Sequence, residues 1–496
     1  MIQNARTHGK SEEERKFTAM LKLFDPSSSL PVAERGKAPV AITSFFAGKP
    51  LVLDEKVKAG QIDDYVTPTF YAPNVSWLVQ RNGMNPRHSL MVSLNGSEGN
   101  HMHANGISME LYGKGYVLGP DAGIGKTLYQ GLDYLEYYSQ FPSHNTVCVD
   151  GISSYPVMKS NHSFKLRALY PAAGERLPYQ PISYSEVYFR EPETFADQTR
   201  LNGIVNVGDS AGYYIDIFRS RKVEGGDKMH DYFYHNLGQQ MTLTAADGSE
   251  LGLQPTQELA FAGAHLYAYS YIYNKKRAVT SKDVKAGFTI QMPDKDDITM
   301  NLWMKGEEGR EIFSALSPMT EGLSRIKNMP YSIKDQPTLT FVARQKGEAW
   351  NRPFVAVYEP STLKEPSCIA SVDYPQVKSE QQGSHVGIRV ALTNGNVDWI
   401  LSSDENAHHC KLEKLQARAG YALCRQSEKG EALQAFLGNG TQLEADGVSI
   451  RTDVPADVLL LKQDGKWMYT ATAPCRVVVG KKKYTLSVSK ELRLLK

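Results

Sequence analysis

No run of apolar residues in this chain reaches the roughly 18–20 that a membrane-crossing helix needs, so no helical span is expected. An excess of one charge is missing as well. Lys and Arg number 56 against 54 Asp and Glu, a net charge of +2, and nothing global argues for a nucleic-acid partner. Cysteine is scarce: Cys148, Cys368, Cys410, Cys424 and Cys475 are scattered and odd in number, which suits lone buried thiols better than a disulfide framework. The start, Met1 to His8, has no apolar stretch of the kind a signal peptide carries, so none is expected there. Internal repeats and low-complexity tracts are absent too. What remains, 41% hydrophobic and 22% charged over 496 residues, is ordinary globular composition with room for two or three domains.

The patterning is dominated by period two. Ile298, Met300, Leu302 and Met304 alternate with Thr299, Asn301 and Trp303, and Tyr213, Ile215 and Ile217 alternate with Tyr214, Asp216 and Phe218. Such runs, rich in β-branched and aromatic residues and cut by Gly, Asp and Asn, read as antiparallel sheet. Val477 to Leu486 reads as a hairpin with a basic tip at Lys481–Lys483, and Asn394-Gly395-Asn396 as a tight turn. One amphipathic helix is expected from Glu12 to Phe24, where Phe17, Met20, Leu21 and Phe24 recur at helical spacing. The expected fold is mainly β: a large antiparallel β-sandwich, a smaller all-β domain and a short helical N-terminal remnant. The boundaries fall at residues 1–70 (helical remnant and linker), 71–375 (sandwich) and 376–496 (small β domain).

The segment Asn100-His101-Met102-His103-Ala104-Asn105-Gly106 carries the strongest chemical signal. On an extended strand, imidazoles at i and i+2 face the same way. Asp121 and His144, brought in by neighbouring strands, would complete a three-ligand set of the His/His/Asp kind that suits zinc, leaving one histidine spare for chemistry. A pair of core histidines bonded to backbone carbonyls and Asp121 explains the same spacing. Asn105-Gly106 reads equally as a continuation of the strand or as a turn that re-aims it.

These motifs come in a particular order. His101-Met102-His103-Ala104-Asn105-Gly106 precedes an alternating strand; Gly119-Pro120-Asp121-Ala122-Gly123 follows, then His144-Asn145-Thr146-Val147-Cys148-Val149-Asp150-Gly151. Together, from about Asn95 to Gly151, they resemble the heparinase II/III-like polysaccharide lyases, with weaker similarity through Tyr232–Gly238. The resemblance implies an N-terminal α/α toroid, a central antiparallel β-sandwich bearing the histidines, and a small β domain. Carried over by position, it makes His103, Asp121 and His144 ligands of a structural zinc. It makes His101 the sandwich-side catalytic group. It also implies lyase action on uronate-containing acidic glycans, of the heparin/heparan sulfate or alginate type, and a periplasmic or secreted location. The reaction would be β-elimination: a base takes the acidified C5 proton and an acid protonates the departing 4-oxygen. An imidazole's ordinary pKa of about 6.5 allows either role.

Only 100 residues precede His101, too few for a toroid, so the resemblance reads this chain as a C-terminal part whose catalytic tyrosine comes from elsewhere. Turnover by the chain alone is then in question. The tyrosines between Tyr129 and Tyr138 offer a phenol, although packing or glycan stacking is the commoner role for such a cluster. The contrasting reading is a non-catalytic, zinc-stabilised glycan-binding or structural β-sandwich. Other signals are weaker. Gly123-Ile124-Gly125-Lys126-Thr127 has Pro120 where a phosphate loop needs its first glycine. His230 and His235 are spaced for packing or hydrogen bonding rather than for a shared metal, and strand alternation would separate His408 from His409 beside Cys410.

Overall fold

The computed structural model describes residues 1–24, 53–61, 64–83, 90–123, 125, 132–152, 158–175, 181–208, 210–260, 268–320 and 336–496. It divides into two compact units, Met1–Thr67 and Pro68–Lys496. In the first, Ile2–Thr7 and Ser11–Phe24 are α-helices. Glu12, Glu13 and Glu14 in the first turn and Lys22 in the last turn of the second helix complement its dipole. Its expected apolar stripe is only partly covered, with Met20 and Phe24 exposed.

The second unit is built from antiparallel sheet. An eight-stranded sheet contains Ile182–Arg190, Ala196–Asn206, Gly212–Lys222, Ile298–Met304 and Ala349–Thr362. One face of it packs on a six-stranded sheet, which includes Val147–Val149, Met229–Asn236 and Thr338–Lys346, and on a five-stranded sheet that includes Met91–Asn95 and Ser108–Gly113. Tyr214, Phe218, Met300, Phe341, Met109 and Leu111 lie in this shared core. The opposite face packs on the twelve-stranded sheet formed by the last part of the chain, through Tyr213, Ile215, Ile217, Ile388, Leu423 and Phe436.

Strand Gly212–Lys222 is therefore covered on both faces. Its odd positions feed one core and its even positions the other, and Asp216 is tolerated because Arg200 pairs with it at 2.7 Å. The hairpin Cys475–Val479/Lys482–Leu486 forms with Gly480 at φ +60, and Gly395, at φ +83, closes the turn before Val397–Ser403. All five cysteines are free and buried. No described helix is long and apolar enough to cross a membrane.

Candidate metal and catalytic site

Three segments converge at one edge of the sandwich: residues 101–107 ahead of strand Ser108–Gly113, the turn after Tyr116–Gly119, and the link between Phe141–Ser143 and Val147–Val149. They carry His101 and His103, Asp121, and His144. The segment 101–107 is not a strand, and the expectation that His101 and His103 share a face is overturned. His101 takes a left-handed φ of +60 and Gly106 takes +63, so period-two alternation is interrupted. His101 consequently points out, exposed, with its backbone N–H donating to the Met158 carbonyl at 2.7 Å. His103 turns in.

Glycine at 106 is required by close approach as well as by φ. A Cβ there would lie 2.8 Å from Thr146 Oγ1, two residues from His144.

His103, Asp121 and His144 each present a ligand atom, and these atoms lie within 4.8 Å of one another. The His103 and His144 ring centroids are 5.0 Å apart. His144 Nδ1 is 2.7 Å from Asp121 Oδ2, and Gly123 N–H donates to Asp121 Oδ1 at 2.9 Å. Burial alone would raise the Asp121 carboxyl; the facing His144 outweighs it and holds the group well below the usual carboxylate range. Burial, then the charge of His144, pushes His103 down to about 4, so its imidazole is neutral at pH 7 as coordination requires. His144 Nε2 is buried and has no hydrogen-bond partner among the described residues, an orphan that a metal ion would satisfy. Ligand atoms on a tetrahedral zinc sit about 3.4 Å apart, given Zn–N and Zn–O bonds near 2.0–2.1 Å. Two imidazoles and a carboxylate in this arrangement fit such an ion after small side-chain adjustments.

Three residues not picked out in the sequence bear on the site. Arg200, fully buried on the eight-stranded sheet, donates from Nη1 to the carbonyls of Ile107 (2.7 Å) and Asn145 (2.6 Å). Asn145 Nδ2 donates to the Met109 and Pro120 carbonyls, and its Oδ1 accepts the His235 N–H at 2.6 Å. These two side chains tie together the segments that bear His103, Asp121 and His144. Glu110, half-buried behind Asp121, is raised to about 7 by burial and by the Asp121 charge. A polar position in an alternating strand gave no hint of that.

The tyrosine cluster is packing. Tyr134, Tyr137 and Tyr138 are buried against Phe141, Phe233 and Tyr269. Tyr134 has its ring centroid 6.1 Å from that of His103 and its hydroxyl on Met158 Sδ. Tyr129 lies outside the described residues, as do Ile124, Lys126 and Thr127. His230 and His235 are hydrogen-bonding core residues. His230 meets Ser220 Oγ and Asp227 Oδ1, and His235 meets Thr340 Oγ1 and the Pro142 carbonyl.

No family model matches the chain. Over 433 residues, 82% of this chain, it is 27% identical to an endo-acting ulvan lyase of Formosa agariphila. It covers 50% of that protein, so the chain spans about half the length of the curated relative it matches. Among solved structures, a heparinase III gives a TM-score of 0.38 at 12% identity over 71% of this chain and 43% of the other. A heparan sulfate lyase from Pedobacter heparinus gives 0.35 at 12% identity over 73% and 46%, and a chondroitinase AC lyase gives 0.37 at 9% over 85% and 52%. The resemblance read from Asn95–Gly151 thus extends to a polysaccharide lyase over most of the chain.

Proposed function

We propose that this chain, a relative of polysaccharide lyases, is the sandwich-bearing part of an enzyme that cleaves a uronate-containing acidic polysaccharide by β-elimination. Ulvan is the leading substrate, because a relative matched over 82% of this chain is an ulvan lyase. Heparan sulfate and alginate are the alternatives. The observation that carries the reading is the placement of His101. It is exposed, two residues from a half-buried His/Asp/His cluster, on a backbone fixed by Met158 and by the ribbon pairing Asn100 with Lys159.

His101 serves as the sandwich-side acid–base group. Removal of the uronate C5 proton leaves an electron pair that forms the C4–C5 double bond as the C4–O4 bond breaks, and the departing O4 takes up a proton. Lys159, exposed across the ribbon from Asn100, is placed to offset the uronate carboxylate and so acidify C5. His103, Asp121 and His144 would hold zinc, which when bound supplies positive charge and a cross-link between three loops. Arg200 and Asn145 keep those loops in register, so His101 is presented at a constant distance from the cluster.

The test is an ultraviolet assay for the unsaturated uronate product, with ulvan, heparan sulfate, alginate and chondroitin offered separately. The proposal expects a rise on one of them, with ulvan first. Binding to a glycan without any rise would favour the non-catalytic sandwich for this chain by itself.

A further inference from the structure

A second convergence of ligand atoms lies in the last sheet. His385 opens strand His385–Leu392, while Asp404 and His408 sit in the turn between Val397–Ser403 and His409–Leu412. We propose that His385, Asp404 and His408 form a binding site for a divalent transition-metal ion of the zinc class, independent of the cluster around His144.

The ligand atoms of the three residues lie within 4.8 Å of one another. His385 Nε2 faces the Gln381 carbonyl at 3.1 Å, so it carries the ring proton and Nδ1 keeps the lone pair. That Nδ1 meets only two neutral, weakly bonding groups, Ser403 Oγ at 3.2 Å and Cys410 Sγ at 3.4 Å, which a cation would outcompete. His408 Nδ1 is buried with no hydrogen-bond partner among the described residues, an orphan acceptor or donor of the kind that needs an explanation.

Asp404 is oriented from behind: Ser384 N–H donates to Oδ1 at 3.0 Å and Trp350 Nε1 to Oδ2 at 2.7 Å. Backing hydrogen bonds of this type hold metal-ligating carboxylates and imidazoles in place. The nearby opposing charge is Arg219, bonded to Ser384 and Ser402 and faced by Glu186 as well as Asp404.

Space for the ion is marked by Gly383. A Cβ built there would lie 2.8 Å from Asp404 Oδ1, 3.0 Å from His408 Nδ1 and 3.1 Å from His385 Cε1. Any larger side chain would fill the point on which all three residues converge. Two imidazoles and one carboxylate match zinc or cobalt rather than calcium or magnesium, which prefer all-oxygen sites. The ion would clip the 381–385 segment to the 404–408 turn over Arg219, where the last sheet meets the eight-stranded sheet.

The experiment uses the full chain stripped by chelation, then loaded with zinc and dialysed, with cobalt absorption as a second readout. The His103→Ala background removes a ligand of the other cluster. In that background, one zinc per chain is expected to remain, with a visible cobalt spectrum of tetrahedral type and a rise in melting temperature on loading. Adding His408→Ala, or filling the space with Gly383→Val, is expected to weaken binding on the order of 100-fold or more while the metal-free melt stays cooperative. Absence of bound metal in His103→Ala, or metal that survives both further substitutions, would overturn the assignment.

Discussion

Arg200 Nη1 donates to the carbonyl oxygen of Asn145 at 2.6 Å, one residue from His144, while its other edge pairs with Asp216 through Nε at 2.8 Å and Nη2 at 2.7 Å. A buried ion pair in one sheet thus fixes the loops of another. Replacing Arg200 with Met leaves Asp216 buried and uncompensated, and the Ile107 and Asn145 carbonyls lose their donor. The expected cost is about 3–5 kcal/mol of stability, read from urea melts, with weakened zinc retention alongside.

Asn145→Ala removes two donated bonds and one accepted bond, all to backbone. Leaving those buried groups unsatisfied should cost about 1–3 kcal/mol. Zinc affinity should fall about 10–100-fold although no proposed ligand has changed. Metal competition against a chromogenic chelator measures it; unaltered affinity would show that the loops hold without this side chain.

His235 offers a pH signature. Burial pushes it from 6.5 down to about 4, against a smaller opposing effect of the Pro142 carbonyl. The unfolded chain therefore binds the extra proton between about pH 6.5 and 4. His235 contributes fully above that window and loses its contribution as pH falls through it. Comparing metal-free wild type with His235→Gln isolates this group from the other titrating residues. Their stability difference should shrink by about 2 kcal/mol between pH 7 and pH 5. A difference that stays constant would mean that His235 is not held neutral.

His101→Ala should separate chemistry from folding. An exposed side chain supports little, so melts should agree within about 0.5 kcal/mol. Loss of an acid–base group should lower kcat about 10²–10⁴-fold with KM much less affected. A raised KM with kcat unchanged would make His101 a binding residue.

Much of this was legible in advance, for identifiable reasons. The strands at 213–218 and 298–304 announced themselves because period two is a property of the pleat. Burial of both faces of Gly212–Lys222 was not legible, since only the arrival of a sheet some 200 residues downstream covers the second face. His103, Asp121 and His144 were gathered by motif order, and the structure brings them together. The shared face of His101 and His103 failed because one left-handed residue, His101, resets the alternation, and a histidine's mild preference for positive φ is too weak to announce it. Arg200 and Asn145 act through backbone carbonyls, which leave no trace in sequence spacing. His408 stood out only as one of two histidines beside Cys410, a weak metal signal; its partner His385 lies 23 residues earlier, with the two ring centroids 5.4 Å apart.

The most direct test of the central claim is the fate of water. Ulvan cleaved by the protein in ¹⁸O-labelled water should give fragments free of label, with each new non-reducing end an unsaturated uronate, because elimination breaks the C4–O4 bond without adding water. One labelled oxygen per cut would identify a hydrolase and contradict the account.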